Sequence, residues 1–437
     1  MEVTINRLSG VQEEAEIEVS HSELQPLFEQ AYEKYRQKVE IRGFRKGKAP
    51  LDMIKKMYGS AIEHESLDDA ADAFYKQAMQ ERNIHPIGQP KLVDMDFKPG
   101  QTFRFKINYE VRPVFALGEY KGVAVEKVIH RVTDEEIAAE IDYLRRANST
   151  TEEVQGVTDE DHIVTADVQE LDAADMPLIG RKSSGVRFNL FDQTLPEGIR
   201  KAIASAAVGG RYRATVESHG EDGRHATHVA ISPSKIEKVT LPQFDADLVT
   251  KMTQGKVTTT EEFTASLRTD LERYWNDLAE RKVRDGIADE IVRTHDFEVP
   301  ESLVNTFLDA FLEDVKNRQR GKQLPVDFNI ERFRNEGRPT AIWQSKWMLL
   351  KQAIAEAEKI EVTDDDLDAL ATAESARAKV DKDRVLQYYR NSGSATERLL
   401  SERIMSFLRS HARVREVEER QQDESLKPIE RLTANTK

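Results

Sequence analysis

From Leu241-Pro242 onward the apolar residues of this chain recur at helical spacing and almost never alternate, which restricts the carboxy-terminal portion to helices. Val304, Phe307, Leu308, Phe311, Leu312 and Val315 fall at i, i+3, i+4, i+7, i+8 and i+11 and form one continuous stripe. Trp343, Trp347, Leu350 and Ile354 make a second. Such a stripe is either a core face or a docking face, and periodicity alone does not separate the two. Upstream the period changes. Val3 and Ile5, then Ala15, Ile17 and Val19, alternate across a turn at Ser9-Gly10, and Phe103, Phe105, Ile107, Tyr109 and Val111 alternate strictly.

Between those strands, Ser20-x-x-Glu23 has capping-box spacing and heads a helix to about Glu40, in which Pro26 should leave the first turns bent or irregular. Helical patterns follow at 51–58 and 60–82, which makes residues 1–115 a small α+β domain. Residues 116–150 read as a linking arm, with Thr133-x-x-Glu136 capping a helix that carries Ile137, Ile141 and Leu144 on one face. Residues 151–243 are strand-rich and glycine-punctuated, an antiparallel domain with a short helix near 197–206. Residues 244–437 form the helical domain, in which Thr363 before Asp364-Asp365-Asp366 reads as another helix start; the polar stretch after about Glu416 should fray. The fold class is thus α+β and multidomain, as 437 residues require at roughly 100–200 per domain.

Charge and composition narrow the function. A formal charge of −15 opposes general adhesion to DNA or to an anionic membrane, so any contact with a polyanion must be local. Cysteine is absent, which removes disulfides, thiolate metal sites and a thiol nucleophile. Met1-Glu2-Val3-Thr4-Ile5 starts at once with strand alternation and has no signal-peptide pattern, and no stretch reaches the roughly 18 apolar residues of a membrane span, so a cytoplasmic location is expected. His219, His225 and His228 are close in sequence but lack a matching carboxylate pattern and flank a hairpin turn at Gly220-Glu221-Asp222-Gly223, so no metal is expected. Without a G-x-x-x-x-G-K-[ST] loop or a strand-to-helix G-x-G-x-x-G unit, no nucleotide or other cofactor is expected either.

Against that acidic background, Arg42-Gly43-Phe44-Arg45-Lys46-Gly47-Lys48-Ala49-Pro50 places four cations, one aromatic and two glycines between two helices. Composition alone leaves two readings: a solvated turn around one buried aromatic, or a contact surface in which the cations neutralise phosphates and Phe44 adds an apolar or stacking contact. The segment Gly43 to Pro50 resembles the signature loop by which trigger factors, ribosome-associated chaperones, dock at the tunnel exit. The likeness continues at Tyr58-Gly59, at Ile84-x-Pro86-Ile87-Gly88-x-Pro90 and at Phe297-Glu298-Val299-Pro300.

That resemblance implies an ATP-independent chaperone with three parts: a ribosome-binding amino-terminal domain, a middle domain of FK506-binding-protein type, and a helical body that holds clients. It assigns ribosome binding to Gly43, Phe44, Arg45, Lys46, Gly47, Lys48 and Pro50. Its implied partners are ribosomal protein and rRNA together with nascent and unfolded polypeptides, with no DNA and no membrane; a homodimer away from the ribosome stays open. The alternative activity is peptidyl-prolyl cis-trans isomerisation of unfolded chains. That chemistry needs an apolar, aromatic-lined pocket that desolvates the X-Pro amide. The family has an aspartate, an aromatic and a glycine after the first strand of this domain, whereas Asp167 is followed here by Val168, Gln169 and Glu170. The floor is interrupted as well, as Leu195-Pro196-Glu197-Gly198-Ile199. Val168, Leu195, Ile199 and Tyr212 therefore mark a degenerate pocket, Phe188, Phe191 and Tyr212 are expected to be ordinary core, and isomerase activity should be weak or absent, with no catalytic residue assigned.

Overall fold

The structure is a computed structural model that describes residues 1–41, 44–98, 100–172, 174–220, 223–319, 321–325 and 327–418. It divides into two compact units, one of residues 1–127 and 280–416, the other of 128–279 with the residues after Glu416.

In the first unit, strands β1 (Glu2–Arg7) and β2 (Gln12–Val19) precede helices α1 (His21–Lys38), α2 (Leu51–Glu65) and α3 (Leu67–Glu81), then strands β3 (Ile87–Phe97) and β4 (Phe103–Glu110). The sheet is antiparallel in the order β1-β2-β4-β3. Alternation puts Ala15, Ile17 and Val19 of β2 on the same buried face as Phe103, Phe105, Ile107 and Tyr109 of β4, in the register Ile17↔Phe105. A slip of one residue would turn every one of these side chains to water. The helices close that face with Leu24, Phe28, Leu67 and Phe74.

Three local expectations are corrected. Helix α1 runs without interruption through Pro26, because a missing donor this near the start costs one intrahelical bond while its capping box at Ser20 and Glu23 is intact. The break between α2 and α3 falls at Ser66, not at Gly59, which is buried inside α2. Strand β3 has no counterpart in the sequence reading, since Gly88 and Pro90 argue against a strand; at a sheet edge, with irregular register between Ile87 and Lys91, both are tolerated.

Strand β5 (Ala124–Ile129) begins in the first unit, and in the second α4 (Asp134–Ala147) follows it, with Thr133 accepting from the Glu136 N–H at 3.2 Å as the capping box requires. Strands β6 (Thr150–Val154), β7 (His162–Leu171) and β8 (Pro177–Asn189), helix α5 (Glu197–Ile203), and strands β9 (Tyr212–Gly220) and β10 (Gly223–Thr240) build an antiparallel sheet in the order β6-β10-β7-β8, with β9 also paired to β10. Helix α6 (Ala246–Met252) leads to the long α7 (Thr260–Thr294), whose Leu271 and Trp275 bury Ile137 of α4.

The remaining helices are α8 (Glu301–Arg318), α9 (Ile330–Glu358), α10 (Asp364–Ala378), α11 (Lys382–Ser392) and α12 (Ser394–His411). Of the α8 stripe, Val304 and Leu308 are core against Ala341 of α9, while Phe307 and Phe311 are only partly covered. Trp343 and Trp347 lie partly buried beside Leu350 and Ile354. After α12, β11 (Arg413–Glu418) pairs with β5, so Glu416 to Glu418 belong to a strand; the rest of the stretch expected to fray lies outside the described residues.

Candidate functional site

The 41–50 loop stands on two buried feet. Ile41 and Ala49 are 9% and 4% exposed and belong to the amino-terminal core, whereas Phe44 between them is 41% exposed. Arg45, Lys46 and Lys48 are exposed as well, and none of the three takes part in an ion pair among the described residues. The reading as a turn around one buried aromatic therefore fails, because the side chains held inside are the aliphatic feet. The carbonyl of Arg45 accepts from the Lys48 N–H at 2.9 Å, and Gly47 takes the third position of that turn with φ +77°, a conformation that favours glycine. Pro50, with φ −60°, is the N-cap residue of α2 and fixes the exit. Arg42 and Gly43 lie outside the described residues. Sequence reasoning missed Met53 and Met57, 38% and 54% exposed one turn apart on α2. The available signal was their offset from the buried positions Ile54 and Ile62.

Two of the other motifs that carried the resemblance, the Ile84–Pro90 and Phe297–Pro300 segments, meet at the start of α8, whereas Tyr58 packs against Tyr35 of α1. Glu110, at the end of β4, accepts from the Glu301 N–H at 3.1 Å and the Ser302 N–H at 2.9 Å, and the Ser302 hydroxyl donates to it as well. A carboxylate thus sits where the helix dipole is positive and satisfies donors that the helix itself leaves open. Gly88 has φ +68°, and a Cβ there would stand 2.5 Å from Ser302 Cβ. Glu298 accepts from the Gly10 N–H at 2.9 Å, and Phe297 stacks on Phe115 with centroids 4.1 Å apart. A second junction in the same unit is ionic. Glu280 of α7 accepts two bonds from Arg409 of α12, at 3.0 and 3.1 Å, and lies 2.8 Å from Lys127 Nζ. The Arg409 hydrogen bonds, then that of Lys127, hold its carboxyl down at about 2.

In the middle sheet, Val168, Leu195, Ile199 and Tyr212 share one apolar cluster, with Ile199 9% exposed. The three phenyl or phenol rings between residues 151 and 243 are otherwise engaged. Phe188 is core, at 8% exposure. Phe191 is half-buried under the Arg146 guanidinium, 4.5 Å from its centroid, and Tyr212 is half-buried with its hydroxyl accepting from the Ala207 N–H at 2.8 Å, so these two are braces rather than ordinary core. Where the family has an aromatic and a glycine, Gln169 donates to the Leu178 and Arg181 carbonyls at 2.8 and 3.1 Å. Asp167 pairs with Lys182 at 2.8 Å, which holds its carboxyl below the ordinary range. Polar side chains thus fasten β8 beside the pocket position. Gly198 is a contact point of α5 with β9: a Cβ there would stand 2.0 Å from the Thr215 carbonyl oxygen.

His228 Nδ1 lies 3.1 Å from the Thr215 hydroxyl, while the side chains of His219 and His225 lie outside the described residues, as do Glu221 and Asp222 of the hairpin turn. Among the described residues no group of three or more His, Asp or Glu side chains is arranged to hold a metal, and no helix is long and apolar enough to cross a membrane.

A family model described as bacterial trigger factor protein matches residues 1–144, and one described as its C-terminus matches residues 259–409. A trigger factor of Chloroherpeton thalassium is 30% identical over 422 residues, covering 95% of this chain and 97% of its own. The chain belongs to the trigger factor family. A trigger factor of Salinibacter ruber is 28% identical over 431 residues, 93% of each chain, and one of Chlorobaculum tepidum is 27% identical over 414. A solved structure of the trigger factor chaperone is similar over 93% of this chain and 99% of its own, with 17% identity and a TM-score of 0.49. As a trigger factor, this protein is a chaperone, and the two matched stretches lie on either side of the β-rich middle.

Proposed function

We propose that this trigger factor is an ATP-independent chaperone of the cytoplasm that docks on the ribosome through its 44–50 loop and receives nascent chains at the tunnel exit. The observation that carries the reading is the loop itself: Phe44, Arg45, Lys46 and Lys48 are presented to solvent by Ile41 and Ala49, in a chain whose net charge is −15. A local cationic surface with an exposed aromatic suits a composite of RNA and protein, whereas the rest of the molecule repels polyanions. Residues 1–115 form the docking domain, 116–150 the arm, 151–243 the isomerase-type domain and 244–437 the helical body. Partly covered side chains such as Phe307 and Phe311 suit weak, repeated contact with emerging apolar segments. Tethering raises the effective client concentration to the order of millimolar, so affinity can stay low. With a photo-reactive residue in place of Phe44, illumination of the ribosome-bound protein should join it to components of the tunnel-exit surface; adducts confined to free protein would contradict docking.

Isomerisation is a minor or absent activity. The pocket position is bordered by Gln169, and both Phe191 and Tyr212 are tied to their own surroundings. In a proline-containing peptide assay, the full chain should leave the rate near its uncatalysed value. Turnover comparable to that of active members of the family would overturn this part.

A further inference from the structure

Beside the loop lies a groove of about 470 Å³ between one face of α1 and the corner where α2 meets α3. Tyr35 of α1, Val39 just past its end and Ile62 of α2 supply its apolar floor. Its two walls carry opposite charge: Lys34 and Lys38 on α1 face Glu65 and Asp69 across it. All four are exposed, and none forms an ion pair among the described residues. Four unpaired charges of both signs around an apolar floor differ in kind from the loop, where every charge is positive. The loop also folds back toward this helix, with a Cβ at Gly47 placed 4.0 Å from Gln37 Cα.

We propose that this groove is a second anchor in the docking contact, and that it takes a peptide segment of a ribosomal surface protein. The segment would carry an apolar side chain flanked by an acid that meets Lys34 and Lys38 and a base that meets Glu65 and Asp69. The proposal rests on the ribosome-docking reading above. RNA is the weaker occupant, because Glu65 and Asp69 would stand against its phosphates. Recognition is then divided: the loop supplies the salt-sensitive attraction, and the groove supplies a charge pattern that only one orientation satisfies.

The test compares the affinity of the full chain for purified, non-translating ribosomes in two charge-reversed variants, Lys34→Glu/Lys38→Glu and Glu65→Lys/Asp69→Lys. The positions are exposed, and unchanged circular dichroism and melting would show that both variants fold. A peptide occupant predicts about tenfold weaker binding from each reversal, although one adds negative and the other positive charge. Tighter binding by Glu65→Lys/Asp69→Lys would mean that the groove faces RNA, and the proposal would fall. Unchanged binding by both would remove the groove from the contact while leaving the docking reading intact. A native chain that does not bind ribosomes at all would overturn the docking reading, and this proposal with it.

Discussion

Protonation of Glu280 couples pH to the contact between α7 and α12. Its folded-state carboxyl titrates at about 2, below the ordinary glutamate value of 4.5, so its bonds to Arg409 and Lys127 contribute stability that is complete above about pH 4.5 and is lost as pH falls from there toward 2. Since the carboxylate is about 30% exposed, solvent screening limits the contribution to about 1–2 kcal/mol. Glu280→Gln should therefore lower stability toward urea by that amount at pH 7, and the difference from the native chain should close as pH approaches 2. A difference that persisted unchanged to low pH would assign the loss to packing instead of charge. In the loop, the residue scale separates support from contact. Ile41, Ala49 and Gly47 hold the backbone, whereas the side chains of Phe44, Arg45, Lys46 and Lys48 are exposed, and the three cations form no ion pair among the described residues. Substituting the second group should spare the fold, which makes those positions suitable for binding tests.

At the scale of elements, the carboxylate of Glu110 joins the end of β4 to the start of α8. Glu110→Ala should cost about 1–2 kcal/mol, as the loss of a charged helix cap does. Hydrogen exchange of the Glu301 and Ser302 amides should accelerate, while the α12 amides, far along the chain, should not. Equal exchange in both proteins would show that these amides have other partners. The same scale shows what sequence made legible. Strict alternation located β2 and β4, capping-box spacing located the starts of α1 and α4, and a threonine before three acids located that of α10, because burial and hydrogen bonding leave local patterns. β3, β5 and β11 escaped: the first is a proline- and glycine-containing edge strand, and the other two exist through pairing with each other across a separation of 289 residues. The functions of Gly88 and Glu298 were equally hidden, since their partners Ser302 and Gly10 are remote in sequence.

At the scale of the whole molecule, the site was legible as a motif but not as a surface. A run of cations and glycines marked the loop, yet only burial separates its feet from its contact residues and exposes Met53 and Met57 beside it. The departures from the family's pocket pattern were legible at Val168, Gln169 and Glu197, whereas the Gln169 bonds to β8 needed coordinates. An acidic chaperone that docks through one basic loop has a binding signature that can be measured. The affinity of the native chain for purified ribosomes should be set against that of Phe44→Ala/Arg45→Ala/Lys46→Ala across a series of salt concentrations. Docking through the loop predicts salt-sensitive binding by the native chain, with affinity reduced at least about tenfold and a shallower salt dependence once the two cations are gone. Equal affinity and equal salt dependence in the two proteins would contradict it.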